Sequence, residues 1–296
     1  MVCPHCQSTK LVKHGTEIRK GIRAQSLLCK TCGFRFRDFD RTATTFRRLI
    51  FIQDTHCGHW TGLTAPQFQT EAMPFNDFRK ESWLWFNNVA ELMKPFDYAV
   101  YNGDMIDGKQ SKSGGLELLT TDRFEQVRMA VAIHEKINPV KSIVIRGSKY
   151  HVGKEENFEE DFADRIGAKV YNRFLGDIGG KIFDIRHKIG RSAIPHGRMT
   201  PLSRQALWSR LREERTGIKA DVIVRAHVHY HVYLEESGVI AFTTPALQGA
   251  SDFGAMECDG EVDYGLIILD VYNDGRILKH TFLPKFESMK TEAVEI

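Results

Sequence analysis

Four apolar runs in this chain have the β-branched and aromatic composition of buried strands, and each is followed by side chains that bind metal ions. These side chains are Asp54 with His56, Asp104, His187, and His227 with His229. Ligand sites in open α/β sheets lie just beyond the carboxyl ends of the strands. We therefore expect the carboxylates and imidazoles to meet at one edge of a sheet and to hold a pair of divalent cations.

The local spacing of these side chains supports the same prediction. Strand alternation places residues i and i+2 on the same side, so Asp54 and His56 are expected to bind one cation together. His227 and His229 have the same spacing, and their rings are expected to reach different cations. Asp104 offers two carboxylate oxygens, which suit a bridge between two cations.

The order of apolar runs predicts an α/β fold. Strand-like runs lie near 49–53, 97–102, 141–146, 181–187, 221–226, 239–244, 265–272 and 277–283. Helical periodicity occurs near 77–94, 121–138, 155–166 and 201–216. Alternation of strands and helices over the first two-thirds predicts a largely parallel sheet, and the strand-rich end predicts a second sheet layer.

A separate metal site is predicted at the start of the chain. Cys3, Cys6, Cys29 and Cys32 form two Cys-x-x-Cys pairs, which are typical of structural zinc bound by four thiolates. Because so short a segment cannot bury enough apolar surface to fold alone, we expect zinc binding to supply the free energy of folding. We expect a zinc ribbon over residues 1–40 with a hairpin between the two pairs, a linker over 41–47, and the main domain over 48–290.

Charge is distributed unevenly. Residues 1–48 contain eleven Lys or Arg and three Asp or Glu, a net charge of +8, whereas the rest contains thirty and thirty-five, a net charge of −5. A basic segment on a mildly acidic domain predicts a polyanionic partner, with DNA favoured. Arg35, Phe36 and Arg37 interleave basic and aromatic side chains, as in surfaces that bind single strands. Alternatively, the aromatic rings cover the ribbon's small core and the arginines are solvated.

The sequence predicts a cytoplasmic protein without membrane contact. No apolar run reaches the length of a membrane span, and the first thirty residues lack the apolar core of a secretory signal. Tightly paired cysteines indicate metal binding in a reducing compartment rather than disulfides. The sequence leaves the oligomeric state open.

The motifs resemble those of the calcineurin-like metallophosphoesterases over about residues 47–285. Asp54 and His56 match the family's Asp-x-His, and Asp104 with Asp107 matches Gly-Asp-x-x-Asp. His227-x-His229 matches Gly-His-x-His with alanine in place of glycine. The resemblance implies an αββα sandwich. The cysteine-rich start resembles the zinc ribbons of some transposase proteins.

This resemblance also implies the ligands of each cation. The first set is Asp54, His56, Asp104 and His229, and the second is Asp104, His187 and His227. Manganese is the expected metal, with iron, zinc, nickel or cobalt as alternatives, because these ions suit oxygen and imidazole ligands without thiolate.

One motif departs from the family. A glycine, an asparagine that binds the second metal and a histidine that acts on the substrate normally follow the third strand, but here Gly147 is followed by Ser148 and, later, by His151. We expect Ser148 to lie near the asparagine position as a poorer ligand. We expect both His151 and Asp104 to be catalytic. His151 would donate a proton to the departing oxygen.

These expectations predict a metallophosphoesterase, a hydrolase of phosphoester bonds with two divalent cations in its active site and one structural zinc. The favoured function is a nuclease or phosphodiesterase whose ribbon binds nucleic acid. One alternative is a phosphatase of protein or small-molecule monoesters whose ribbon docks a protein. Another is a non-catalytic zinc-ribbon protein that binds nucleic acid.

Overall fold

The computed structural model describes residues 3, 5–6, 8–19, 22–39, 45–111, 114–153, 157–192, 194–250 and 262–289, and the side chains of 16–19, 22–25 and 36–39 are outside this description. The chain divides into two compact units, Met1–Thr45 and Phe46–Ile296. Residues 40–44, which include most of the predicted linker, lie outside the described residues.

The smaller unit is a three-stranded antiparallel sheet. It contains β1 (Leu11–Arg19), β2 (Ile22–Cys29) and β3 (Arg35–Phe39) in the order β1-β2-β3. β1 and β2 form a hairpin between the two cysteine pairs. Gly33 has a φ of +72° in the turn after β2, and its N–H donates to the carbonyl of Cys29.

The larger unit contains a six-stranded first sheet. Its strands are β4 (Phe46–Ile52), β5 (Tyr98–Tyr101), β6 (Lys141–Ile145), β7 (Val170–Tyr171), β13 (Leu266–Tyr272) and β14 (Ile277–Phe282). The order is β14-β13-β4-β5-β6-β7. β4 to β7 are parallel, whereas β13 pairs antiparallel with both β4 and β14.

A five-stranded second sheet comes from the middle of the chain. Its strands are β8 (Phe174–Ile178), β9 (Lys181–Ile185), β10 (Val222–Arg225), β11 (Tyr233–Glu236) and β12 (Val239–Thr243). The order is β11-β12-β10-β9-β8, with β10 parallel to both β9 and β12.

Five α-helices are described in addition to three short 3-10 helices. The α-helices are α1 (Asn76–Met93), α2 (Arg123–Ile137), α3 (Lys149–Val152), α4 (Phe158–Arg165) and α5 (Thr200–Thr216). The 3-10 helices are Pro66–Phe68, Pro195–Gly197 and Glu287–Met289.

Three apolar layers hold the larger unit together. The first lies between the first sheet and α1, α2 and α4, and includes Phe86 and Ile133. The second lies between the two sheets, where Phe51 contacts Phe242 edge to face. The third lies between the second sheet and α5. This αββα sandwich confirms the predicted α/β fold class.

Several elements differ from the sequence prediction. β7, β8 and β11 were not predicted, and β13 and β14 extend the first sheet instead of belonging to the second layer. β4 begins at Phe46, within the range predicted as a linker. Among the described residues, no helix is both long enough and apolar enough to cross a membrane.

Candidate metal centre

The predicted ligands follow the carboxyl ends of strands from both sheets. β4 and β5 precede Asp54 and Asp104 in the first sheet, and β9 and β10 precede His187 and His227 in the second. A hydrogen bond of 2.7 Å joins His187 Nδ1 to the Asn102 carbonyl, so the two sheets meet at this end. The sandwich thereby brings side chains distant in sequence to one place.

Left-handed backbone conformations aim these side chains. Nine non-glycine residues of the described chain have positive φ, and five of them are predicted ligands: Asp54 (+45°), His56 (+43°), Asp104 (+52°), His227 (+76°) and His229 (+54°). β4 ends at Ile52, so Asp54 and His56 converge through turned backbone and not through strand alternation. That part of the prediction was wrong. Each such conformation costs on the order of 1–3 kcal/mol, and such residues cluster at functional sites.

Possible ligand atoms form three groups, and the atoms within each group lie within 4.8 Å of one another. The groups are Asp54, His56 and His229; His56, Asp104 and His151; and Asp104, His187 and His227. The groups adjoin because His56 and Asp104 each belong to two of them. Asp104 shares a group with His56 but not with Asp54. Two neighbouring cations could thus be held by the predicted ligands.

Carboxylate oxygens face imidazole nitrogens throughout this centre. His187 Nε2 lies 2.9 Å from Asp104 Oδ2, and His227 Nδ1 lies 3.8 Å from the same oxygen. His229 Nε2 lies 3.6 Å from Asp54 Oδ1. Asp54 and Asp104 are at most 1% exposed, so their charge needs compensation from nearby groups.

Orphaned polar atoms test whether a cation fits. Asp54 Oδ1, His56 Nε2 and Ser148 Oγ are buried and have no hydrogen-bond partner among the described residues. Buried polar atoms are almost always satisfied, and ligation by a metal ion satisfies them as well as a hydrogen bond does. The donor set of carboxylates, imidazoles and a hydroxyl suits the predicted divalent metals.

The electrostatics of the imidazoles agree with this fit. Burial lowers the pKa of His56 to about 4, which leaves the ring neutral and Nε2 able to bind a cation. Burial opposes the charge of His187, but Asp104 and Asp54 raise its pKa to about 10. A proton on His187 and a cation beside it are thus alternative ways to compensate the same two carboxylates.

Asp107 orients two histidines of the centre. Its Oδ1 lies 2.8 Å from His56 Nδ1, an arrangement that fixes a metal-binding imidazole in other proteins. His151 Nδ1 lies 2.8 Å from the Asp107 carbonyl and 3.3 Å from Oδ1. Burial opposes ionisation of Asp107, yet hydrogen bonds from His151 and His56 hold its pKa well below its usual range. Burial likewise opposes the charge of His151, but Asp104 and Asp107 raise its pKa to about 9.

The loop after β6 contacts Asp104 through its backbone. The Ser148 N–H donates to Asp104 Oδ1 at 2.6 Å. A side chain at Gly147 would collide with Asp104, so only glycine allows this approach. Ser148 therefore lies beside the carboxylate, near where the second cation was predicted.

Glu159 of α4 is a buried residue beside this loop that the sequence prediction missed. Its Oε2 accepts a hydrogen bond from the Gly147 N–H, and its Oε1 is buried without a partner in the described structure. Burial raises the pKa of Glu159 to about 8, and the nearby Asp104 adds to the effect. A sequence signal existed, because Phe158 and Phe162 put this carboxylate on the buried side of α4.

The four predicted zinc ligands are also brought together. Their sulfurs lie within 4.8 Å of one another, with Cys3 and Cys32 separated by 3.7 Å and Cys6 and Cys29 by 3.6 Å. Burial opposes ionisation of Cys29, but the N–H groups of Cys32 and Thr31 lower its pKa to about 6. An N–H of Phe34 favours the Cys32 thiolate, yet burial and the other sulfurs raise its pKa to about 12. A cation would allow all four sulfurs to ionise, as structural zinc requires.

The predicted nucleic-acid contacts are only partly described. Arg35 begins β3 and is exposed. The neighbouring Phe34 is 42% exposed and stacks on His5 with ring centroids 5.4 Å apart. The side chains of Phe36 and Arg37 lie outside the described structure. Contact with nucleic acid stays a prediction.

Comparison with known proteins leaves the family open. No family model and no curated protein matches this chain. Similar solved structures include wild-type Vps29 with Zn²⁺ from Entamoeba histolytica, at 13% identity and a TM-score of 0.39, covering 80% of this chain and 98% of that one. A novel archaeal phosphodiesterase gives 13% identity and a TM-score of 0.38, with 79% and 99% covered. A predicted phosphoesterase from Streptococcus pneumoniae gives 11% identity and a TM-score of 0.36, with 82% and 100% covered. Scores this low establish neither family nor activity.

Glu159→Gln is expected to retain the fold, because glutamine keeps an acceptor for the Gly147 N–H and imitates the protonated carboxyl. Glu159→Ala should lower the free energy of unfolding by about 1–3 kcal/mol, since it leaves a buried donor unsatisfied. Folding raises the pKa of Glu159, because the folded state favours the protonated carboxyl. The stabilisation by this carboxyl is therefore full below the pKa of glutamate in the unfolded chain, and it is lost as pH rises through about 8. Denaturant unfolding of metal-free protein measures the difference. The free energy of unfolding of Glu159→Gln should rise relative to that of the wild type between pH 5 and 9. A constant difference across this range would contradict the assignment.

Proposed function

We propose that this protein is a metal-dependent phosphoesterase. The observation that carries the proposal is the row of adjoining ligand groups, connected by His56 and Asp104, at the carboxyl ends of strands from two sheets. Paired divalent cations about 3.5–4 Å apart are a recurring means of displacement at phosphorus. Buried carboxylates with orphaned polar atoms around them support such a pair.

In the proposed assignment Asp54, His56 and His229 would hold one cation, His187 and His227 would hold the other, and Asp104 would serve both. When bound, the two cations supply Lewis acidity toward the phosphoryl oxygens and lower the pKa of water. Asp107 keeps His56 in the orientation and tautomer that leave Nε2 unprotonated and able to bind a cation. Glu159 and Gly147 hold the Ser148 N–H against Asp104 and so fix the position of that carboxylate.

His151 is proposed as the proton donor. Its Nδ1 is occupied by the Asp107 carbonyl, so Nε2 is the nitrogen left for the substrate. Its side chain is 19% exposed, more than that of Asp107 beneath it. Because Asp107 holds Nδ1, a proton on Nε2 faces the substrate and can be donated to the departing oxygen.

We favour phosphodiesters of nucleic acid as substrates, and we propose that the zinc ribbon binds the polymer. The support is the net charge of +8 over residues 1–48 against −5 for the rest, since a basic segment attracts a polyanion. Exposed Arg35 and the exposed ring of Phe34 add a cation and an aromatic surface next to the cysteines.

Hydrolysis of nitrophenyl esters with added Mn²⁺ tests the proposed reaction. The wild type should cleave the diester faster than the monoester. Asp104→Asn should lower the rate more than about 100-fold, because residues that only orient metal ligands already contribute 10–100-fold. The control Asp164→Asn alters an exposed carboxylate on α4 and should keep the wild-type rate.

Other outcomes would point elsewhere. Cleavage of the monoester alone would reject the diesterase and favour a phosphatase. No cleavage of any dye or labelled nucleic acid by metal-loaded protein would favour a binding protein without catalytic activity.

Replacing His151 should produce a loss that depends on the leaving group. His151→Gln should slow hydrolysis of an alkyl diester by about 10²–10⁴-fold, because an alkoxide needs a proton as it departs. Hydrolysis of a nitrophenyl diester should slow much less, since nitrophenolate leaves without one. His196→Gln, which changes an exposed histidine, serves as the control. Equal losses with both esters would show that His151 does not donate the proton.

Removal of the ribbon separates binding from catalysis. A variant that lacks residues 1–45, the smaller compact unit, should hydrolyse dyes at the wild-type rate. Its affinity for a single-stranded oligonucleotide, measured by fluorescence anisotropy at fixed salt, should fall at least tenfold because the most basic segment is missing. Unchanged affinity would mean that the ribbon has another role.

A further inference from the structure

A cluster of arginines surrounds one buried carboxylate on the outer face of the second sheet. Phe183 and Ile185 of β9 point into the core between the sheets, so Asp184 points to the opposite face. Four guanidinium groups lie within 3.5 Å of its oxygens: Arg173 at 2.7 Å, Arg212 and Arg225 at 3.3 Å, and Arg186 at 3.5 Å. We call these four residues with Asp184 the arginine cluster.

The charges of the arginine cluster do not balance. Four guanidinium groups and one carboxylate give a formal charge of +3, and Asp184 is the sole acidic partner of the four arginines within 4.0 Å in the described part of the chain. The neutral Gln205 accepts hydrogen bonds from Arg186 and Arg225.

The arginine cluster has a buried base and an open top. Asp184 and Arg225 have side chains 1% exposed, whereas those of Arg173, Arg186 and Arg212 are 30%, 34% and 27% exposed. Each guanidinium carries five N–H donors, far more in total than one carboxylate accepts. Arg186 Nε is buried and has no hydrogen-bond partner within the described residues. Three of the four arginine side chains thus reach solvent in part, above the buried pair of Asp184 and Arg225.

Planar guanidinium groups arranged around a common point are suited to phosphate, which accepts several charge-assisted hydrogen bonds at once. A role confined to fastening α5 to the sheet would need only the contact between Arg212 and Asp184. It would not account for three further cations held together against their mutual repulsion. A multiply charged anion would remove that repulsion and satisfy the donors.

We infer that the arginine cluster is a second anion site, which binds the phosphate group of a ligand outside the carboxylate and imidazole centre. This inference does not depend on phosphoester hydrolysis, because phosphate binding there involves none of the predicted metal ligands. The phosphate belongs either to a nucleic-acid backbone or to a small free ligand. Both sources offer the same chemistry to the four guanidinium groups.

The test uses full-length, metal-loaded protein and sodium pyrophosphate as the probe, with thermal unfolding as the readout. A ligand that binds only the folded state raises Tm with its concentration. The double variant Arg173→Gln/Arg212→Gln leaves the buried pair of Asp184 and Arg225 in place. Without pyrophosphate, the Tm of the double variant should equal or exceed that of the wild type. The increase in Tm that pyrophosphate causes should be at most half of the wild-type increase. The pyrophosphate is saturated with the same divalent cation beforehand, so that it does not withdraw metal from the centre of any variant.

Arg165→Gln is the matched control, since Arg165 is 39% exposed and forms an ion pair with Asp161 on α4. It should show the full increase. If the double variant unfolds, the single variant Arg212→Gln should show an intermediate increase. The inference would be overturned if pyrophosphate raised the Tm of the arginine variants as much as that of the wild type, whether or not their Tm without pyrophosphate was lower. The arginine cluster would then be a purely structural network.

A second titration with a single-stranded oligonucleotide at several salt concentrations distinguishes the sources of the phosphate. Loss of both pyrophosphate and oligonucleotide affinity, the latter at least tenfold, identifies a nucleic-acid phosphate. Loss of pyrophosphate alone identifies a small ligand. Retention of both by the double variant rejects the site.

Discussion

Two carboxylates buried at the end of the sandwich impose the main physical constraint on this protein. Asp54 and Asp104 are at most 1% exposed and lie within reach of five imidazoles, so their negative charge must be compensated by nearby groups. Protons on histidines such as His187 provide one solution, which is why its pKa is raised. Divalent cations would provide another, and they would also satisfy the orphaned atoms of His56 and Ser148. The same burial that makes the carboxylates costly without partners makes them strong ligands.

This constraint extends into the backbone. Five predicted ligands adopt left-handed conformations, and together these cost several kcal/mol that the rest of the fold must offset. The apolar layers on both sides of the first sheet and beneath α5 supply that stabilisation. Turned backbone aims consecutive side chains in directions that an extended strand cannot reach. The strain is therefore part of how the chain places several ligands within a few ångströms.

Much of the larger unit was predictable from apolar periodicity. The eight predicted strand-like runs and four helical segments all correspond to elements of the structure, because long apolar patterns report burial directly. β8 was missed because Gly176 and Asp177 interrupt its apolar pattern, and β11 because it ends in two acidic residues. The Asp-x-His spacing predicted that Asp54 and His56 lie close together, and they do. The predicted cause, strand alternation, was wrong because β4 ends at Ile52. Glu159 was missed because it lies in a run of three acids and resembles a solvated helix start.

The arginine cluster could not have been predicted, because its members lie between residues 173 and 225 and no local pattern connects them. Yet the same strand ends determine both sites. β9 leads to Arg186 and then to His187, and β10 ends at Arg225, two residues before His227. Strand alternation sends Asp184 and Arg225 toward α5, whereas the histidines beyond the strands turn toward Asp104. A shift of one residue in either strand would exchange the two faces, so the register of the second sheet fixes the imidazoles and the arginines together. The sheet thereby separates a centre rich in carboxylates from a cluster rich in guanidinium groups, and each attracts the charge that the other repels.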